Sequence, residues 1–350
     1  MERRMTVMKG YALFANFENP FGNTRRALHE SIETVILAEQ LGFEQVWLSE
    51  HHFNAFSVSA ALFPLLANLA AQTSRIGLGA GALLLPFHDP VRVAEDIATV
   101  DALSGGRLLL GVGKGGPFPD QFRHFGVAHD ASRARLFEAL ALLEKLLGGT
   151  GIDHDSPHHH YRDLSVYPRP IRPQLPIWLA SLNEASVSLA AARGYGLMGP
   201  SAAPVAKIQS LLAGYRPHPG DAPPPFVLAR YFLCHPDGER ARREALPFIR
   251  DFAGNMRAAR QQIPSANGPI APFGQDAAAF GEDSLLANAI VGSPAACIAQ
   301  CRALQAAIGP HVLLLKPASY DPKSSRRSLS LFAEQIYPHL GSHCAAPLHH

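Results

Sequence analysis

Residues 75–113 read RIGLGAGALLLPFHDPVRVAEDIATVDALSGGRLLLGVG. The first run, RIGLGAGALLLP (75–86), is apolar throughout, which suits a strand buried on both faces. Pro90 then stands in the first turn of a helix over 89–103, where its missing N–H would be unpaired anyway. RLLLGVG (107–113) is the next strand. Strand, helix and strand in close succession form the repeating unit of an α/β protein.

The same alternation runs outward in both directions. Upstream lie a strand at 9–15 and a helix over 26–42, whose Leu28, Ile32, Val35 and Leu41 recur near helical spacing before Gly42 closes it. The strand EQVWLSEHH (44–52) ends in polar groups, and a buried helix over 60–72 tolerates Pro64 near its start. Downstream the spacing predicts helix 131–147, strand 175–181, helix 184–193, a weak strand 194–199, helix 204–214 and strand 226–233. A long helix (236–262) follows, expected to bend near Pro247, then helix 294–308, strand HVLLLK (311–316) and helix 325–338. Eight strands alternating with helices is the count of a closed (β/α)8 TIM barrel, and a doubly wound sheet is the alternative. No linker divides the chain. One barrel domain over 1–345 is expected, with insertions at about 148–174 and 263–284, of the length of lids or poorly ordered loops.

Composition narrows the function. In 350 residues, 31 Lys and Arg face 29 Asp and Glu, so no broad basic field awaits nucleic acid. Four cysteines do not make a disulfide framework. No signal-length apolar run follows Met1-Glu2-Arg3-Arg4-Met5, and no segment reaches the ~18 uninterrupted apolar residues of a membrane span. A cytoplasmic protein is expected.

Barrels of this kind bind ligands where their strands end. Four strand ends carry chemistry: Ser49-Glu50-His51-His52-Phe53, Gly81-Ala82-Leu83-Leu84-Leu85-Pro86, Gly113-Lys114-Gly115-Gly116 and Ser181-Leu182-Asn183-Glu184-Ala185-Ser186. Glu50, His51 and His52 offer acid–base groups or metal ligands. Adjacent residues on a strand point to opposite faces, however, which argues against both histidines reaching one metal, and no metal is expected. Gly113-Lys114-Gly115-Gly116 can bring N–H groups and an ammonium to an anion, although it is not a P-loop. Asn183 is a good N-cap, and Ser186 places a hydroxyl in the first turn of a helix whose start suits an anion. Lys114 and this helix start follow neighbouring strands, so both can reach one phosphate. The bland readings are a polar loop, a Gly-rich turn and an ordinary capped helix. Asp153-His154-Asp155 with His158-His159-His160 reads as a surface loop without fixed geometry, Cys297 and Cys301 as small, partly buried thiols, and Trp47 and Trp178 as core.

Several stretches, in order, resemble the bacterial luciferase-like flavin monooxygenases. They are LAEQLGFEQVWLSEHHF (37–53), residues 74–115, QFRHFGV (121–127), SRARLFEAL (132–140), PIWLASLNEASVSLAAARGYGLM (176–198), IVGSPAACIAQCRAL (290–304) and SLSLFAEQIYPHL (328–340). The resemblance implies a (β/α)8 barrel binding reduced FMN at its C-terminal face. Oxygen then adds to give a peroxy- or hydroperoxyflavin, which inserts one oxygen atom into a small organic substrate. It implies a separate NAD(P)H-dependent flavin reductase and a homodimer through helices near the second and third strands. His51 matches the family's catalytic histidine. A non-proline cis peptide under the flavin would fall at Gly81-Ala82. Lys114 stands where a phosphate-binding arginine often stands, which keeps charge but loses the bidentate fork. Asn183, Glu184 and Ser186 match the phosphate-binding helix start, and Ala180 and Ser181 the strand end beside the flavin. Gly113 replaces the reactive cysteine of luciferase itself, so light emission is not implied. Deazaflavin-dependent hydride transfer on the same fold and a non-catalytic flavin-binding protein are the alternatives. The loop residues Phe53, Phe56, Phe118, Phe122, Phe125 and Phe273 lean toward an apolar or aldehyde substrate.

Overall fold

The structure, a computed structural model, describes residues 10–116, 118–172, 174–215, 226–261 and 281–340. Its strands are β1 (Tyr11–Ala15), β2 (Gln45–Leu48), β3 (Gly77–Leu83), β4 (Leu108–Val112), β5 (Ile152–Asp155), β6 (His160–Leu164), β7 (Ile177–Leu179), β8 (Gly196–Gly199), β9 (Phe226–Cys234), β10 (Ile290–Gly292) and β11 (Val312–Pro317). Its helices are α1 (Thr24–Gln40), α2 (Leu62–Gln72), α3 (Pro90–Leu103), α4 (Pro119–Phe125), α5 (Ser132–Gly148), α6 (Glu184–Arg193), α7 (Val205–Gly214), α8 (Gly238–Gln261), α9 (Glu282–Ala287), α10 (Pro294–Ile308) and α11 (Pro322–Leu331).

Eight parallel strands close into a barrel in the order β1-β2-β3-β4-β7-β8-β9-β11, with β11 returning to β1. The β8–β9 pairing (Leu197↔Phe226, Gly199↔Leu228) is the seam that rules out the doubly wound alternative. These are the eight strands expected from the alternation.

Each barrel strand is apolar on both faces because each face meets a different core. Ala12, Trp47, Leu109, Trp178, Met198, Val227, Ala229, Val312 and Leu314 fill the interior. The intervening residues, among them Leu13, Val46, Leu48, Leu110 and Leu315, pack outward in the core that contains helix residues such as Leu66, Ile97 and Leu143. Trp47 and Trp178 meet edge to face at 5.1 Å across the interior. The glycines of β3 and β4 make room for them. A Cβ on Gly79 would lie 2.4 Å from the Trp47 ring, and one on Gly111 2.4 Å from the Ala80 carbonyl oxygen and 3.2 Å from Trp47.

Several features depart from the expectations. The 148–174 insertion contains an antiparallel hairpin, β5–β6, rather than an irregular loop. Its strands IDHD and HYRDL are polar and mostly exposed, so no apolar alternation announced them. Its histidines are organised: Glu138 of α5 accepts hydrogen bonds from the Ser156 hydroxyl and the His158 N–H, and the His158 and His159 rings lie 2.6 and 3.1 Å from its carboxylate. Residues 119–125, read as loop, form α4, capped by Gly126 in the left-handed conformation at φ 67°. β10 was not expected. It pairs with the C-terminal part of β9 (Ile290↔Phe232), beyond the part that β8 covers. The last helix ends at Leu331 and continues as a π turn over Phe332–Ile336. α8 runs through Pro247, and Cys297 and Cys301 are fully rather than partly buried. Of the 263–284 insertion only 281–284, the start of α9, lies among the described residues; Phe273 lies outside them. Among the described residues no helix is long and apolar enough to cross a membrane.

Candidate active site

The C-terminal ends of β1, β2, β3, β4 and β7 are consecutive around the barrel, so the loops singled out in the sequence share one rim. His51 and His52 lie beyond the end of β2 and turn to different partners. The His51 Nε2 lies 3.0 Å from Asn16 Oδ1, and the His52 Nε2 2.6 Å from Glu50 Oε1.

The hydrogen bonds around Asn16 decide the tautomer of His51. The Asn16 Nδ2 donates to Glu18 Oε1 at 2.9 Å, so its Oδ1 is the acceptor. That oxygen accepts from Ser49 Oγ at 2.6 Å and from His51 Nε2. Nε2 therefore carries the proton, and Nδ1 is a bare lone pair. Nδ1 is buried and has no hydrogen-bond partner among the described residues. Burial, followed by the field of Lys316, pushes the His51 pKa down to about 3, against an opposing pull from Glu50. The imidazole is neutral at ordinary pH. Phe56 and Phe118 pack against it at ring distances of 5.3 and 5.8 Å.

Glu50 anchors the loop that carries His51. Its side chain is fully buried. One oxygen lies 2.6 Å from His52 Nε2 and 2.7 Å from His88 Nε2, and the other accepts the Leu84 N–H at 2.8 Å. Burial raises its pKa, but the hydrogen bonds to His52, His88 and Leu84 outweigh it, and the carboxylate stays below its usual range. Glu50, His52 and His88 are the one such trio of potential metal ligands among the described residues. Their separations are hydrogen-bond distances, with both imidazoles sharing one oxygen.

The ends of β3, β4 and β7 present small residues. The Gly81–Ala82 peptide bond is cis, at the place the resemblance gave. A Cβ on Gly113 would sit 3.5 Å from the Ala82 Cβ and 3.7 Å from the Ala180 Cβ, so these three residues adjoin. Lys114 follows Gly113, with its Nζ 3.4 Å from His129 Nε2. Burial and the nearby Arg133 guanidinium bring its pKa down to about 8, against Asp130. Ser181 and Asn183 join β7 to α6. The Asn183 Oδ1 accepts the Ser186 N–H at 3.0 Å as an N-cap, and its Nδ2 donates to Ser181 Oγ at 2.5 Å. Glu184 is exposed in the first turn, and Ser186 is buried. β4 and β7 are paired (Gly111↔Trp178), so Lys114 and the start of α6 are neighbours on the rim.

The sequence reading missed the other half of the rim. β11 carries Lys316 in register with Tyr231 of β9, and both side chains are buried. Asn16 and Glu18 follow β1. The available signal was the cation that ends the apolar run HVLLLK. The loop phenylalanines divide. Phe56 and Phe118 face His51, whereas Phe53, Phe122 and Phe125 belong to a cluster with His52, His124 and Phe87. A cleft between β1, α1 and α11 is lined by Phe14, Asn16, Glu18, Arg26, Pro317 and Tyr320, on the β1 side of the barrel rather than the Lys114 side.

A planar ring bearing N–H and C=O groups fits this mouth on two counts. Small residues form a floor at Ala82, Gly113 and Ala180, and among the described residues the buried His51 Nδ1 has no protein hydrogen bond and the buried Tyr231 hydroxyl no well-formed one, with Ser201 beside it.

Residues 8–311 match the family model described as luciferase-like monooxygenase. The chain belongs to that family. Among luciferase-like relatives, limonene 1,2-monooxygenase of Rhodococcus erythropolis is 24% identical over 341 residues, covering 94% of this chain and 85% of the relative. The oxygenase component of the flavin-dependent trigonelline monooxygenase of Acinetobacter baylyi is 29% identical over 189 residues, 53% of this chain and 52% of the relative. The chain spans about half the length of several curated relatives it matches. The solved structure of the monooxygenase RslO1 from Streptomyces bottropensis superposes with a TM-score of 0.79 at 26% identity, covering 95% of this chain and 100% of that one. Structures sharing the fold at 21% and 18% identity include one in complex with FMN and one F420-dependent enzyme.

Proposed function

We propose that this luciferase-like protein is the oxygenase of a two-component flavin monooxygenase. It takes reduced FMN from a separate NAD(P)H-dependent reductase in the cytoplasm and uses O2 to place one oxygen atom in a small organic substrate. The observation that carries this reading is the neutral, Nε2-protonated His51, whose buried Nδ1 has no partner among the described residues, in a mouth floored by small residues.

Reduced FMN, when bound, supplies the two electrons that let one oxygen atom reach the substrate and the other leave as water. The chain's own residues do the rest. Gly81, Ala82, Gly113 and Ala180 leave space for the ring, and Ser181 borders it. Lys114, the Ser186 hydroxyl and the free N–H groups at the start of α6, beside Glu184, hold the phosphate. Asn183 keeps that turn in shape, because both ends of its amide are already bonded. Phe56 and Phe118 keep water from His51. The His51 Nδ1 accepts a hydrogen bond from the reacting partner and orients it. With its pKa near 3, it holds no proton of its own at neutral pH.

The test is rapid mixing of protein loaded anaerobically with photoreduced FMN against oxygenated buffer. Bound flavin is expected to return to the oxidised form after a lag and more slowly than free flavin. His51→Ala is expected to abolish substrate oxygenation while reduced FMN still binds. Loss of the lag together with tight binding of a reduced deazaflavin would replace the reading by hydride transfer, a reading kept open by the F420-dependent enzyme that shares the fold. Normal turnover by His51→Ala would remove the role given to that residue.

A further inference from the structure

Two cations are buried next to each other on β9 and β11, and their surroundings differ. Arg230 donates from its guanidinium to the carbonyl oxygens of Ser201 at 3.1 Å and Ala203 at 2.8 Å, so it ties the loop after β8 to β9. Its charge is used within the fold. Lys316 is 5% exposed, and among the described residues it makes no hydrogen bond or ion pair. Its Nζ lies 4.9 Å from the ring centre of Tyr231, 4.8 Å from that of Phe252 and 5.8 Å from that of Phe14. Glu18 is the carboxylate whose field reaches it, and Glu18 is already held by the Asn16 amide.

Aromatic faces attract an ammonium, but they do not replace the water or the anion that a buried charge loses. Tyr231 adds a second unmet demand, because its hydroxyl is buried beside Ser201 without a well-formed hydrogen bond. Both side chains leave the inner face of the barrel wall at its C-terminal end, where Phe248 and Phe252 of α8 pack against the Tyr231 ring. Val312 and Leu314, two and four residues before Lys316 on β11, and Val227 and Ala229 before Tyr231 on β9, are interior residues. β11 and β1 stand across the ring from β4 and β7, which carry Lys114 and α6. The mouth therefore has two cationic ends.

We propose that Lys316 and the Tyr231 hydroxyl form an anion-accepting subsite that recognises the substrate. The class of substrate is then an organic anion with an aromatic or extended apolar body and a carboxylate, enolate or phenolate oxygen. This rests on the flavin reading above, in which the Lys114 end takes the cofactor phosphate. Lys316 is assigned to specificity, and His51 keeps its place beside the reacting atoms. The same oxygen chemistry could come from the anionic reduced flavin, and the experiment separates the two sources.

The full-length protein, free of flavin, is titrated with benzoate, phenylacetate and 3-phenylpropanoate and with their three neutral amides, by calorimetry. At least one acid is expected to bind ten-fold or more tightly than its amide. Lys316→Met is expected to abolish that preference while leaving amide affinity within two-fold, and Lys316→Arg to retain it. Thermal melts confirm that both variants fold. Equal affinity for acids and amides, no binding of any acid, or an unchanged preference in Lys316→Met overturns the proposal. So does a ten-fold loss of reduced-FMN affinity in Lys316→Met, which would give the cation to the cofactor. Because the acid titrations contain no flavin, they can fail while the monooxygenase reading stands, and the reverse.

Discussion

At the scale of single residues, His51 is defined by its neighbours rather than by its type. Its ordinary pKa would have it titrate near neutrality, but burial and Lys316 bring it to about 3. For a base whose folded pKa lies below its unfolded value, the unfolded chain takes up the proton first. Stability is then lost as the pH falls from about 6.5 toward 3 and is unaffected by this group above that window. His51→Gln keeps a donor to Asn16 and cannot titrate. Its urea midpoint is therefore expected to fall less steeply than the wild type's between pH 6.5 and 4.5, measured at matched ionic strength. Parallel slopes for the two proteins would show that His51 is not held neutral. Glu50 matters at this scale too, because one carboxylate binds three partners on either side of the His51 loop.

Among the secondary-structure elements, the glycines of β3 and β4 are packing residues. Gly79 faces the Trp47 ring so closely that an added methyl would overlap it at 2.4 Å. Gly79→Ala is expected to destabilise the protein by about 1–3 kcal/mol, the usual range for an overpacked core. Trp47→Leu removes the obstacle, so the alanine should cost markedly less in that background, with both differences read from urea unfolding. Additive losses would mean that the strand resists alanine for another reason. The β5–β6 hairpin teaches a complementary lesson. It is held to α5 through Glu138 by polar contacts, which leave little mark on an apolar pattern.

For the whole molecule, barrel closure sets two different cationic ends across one mouth, Lys114 with α6 at one side and Lys316 with Tyr231 at the other. Apolar side chains are exposed at both ends of this side of the barrel. Phe53 is 52% exposed beyond β2, Phe125 is 37% exposed beside it, and at the opposite end Leu103 is 62% exposed where α3 ends. We expect these faces, with α2 and α3, to pair in a homodimer. Sedimentation equilibrium should then report about twice the 37.7 kDa chain mass at micromolar concentration. A single-chain mass at every concentration would exclude it.

The sequence by itself determined the alternating α/β architecture. Strands apolar on both faces, alternating with helices eight times, leave a closed parallel barrel or a doubly wound sheet, and the β8–β9 pairing decided between them. It also determined the rim, since strand ends carry the loops. The polar hairpin and the short α4 were not legible, because neither carries a long apolar period. The tertiary structure alone decided the state of His51 and the surroundings of Lys316. Asn16 and His51 come from different strands, as do Phe14, Tyr231 and Lys316, which are hundreds of positions apart in part and meet only when β11 closes between β9 and β1. A proton position and a buried charge depend on such neighbours in space, and no local spacing records them.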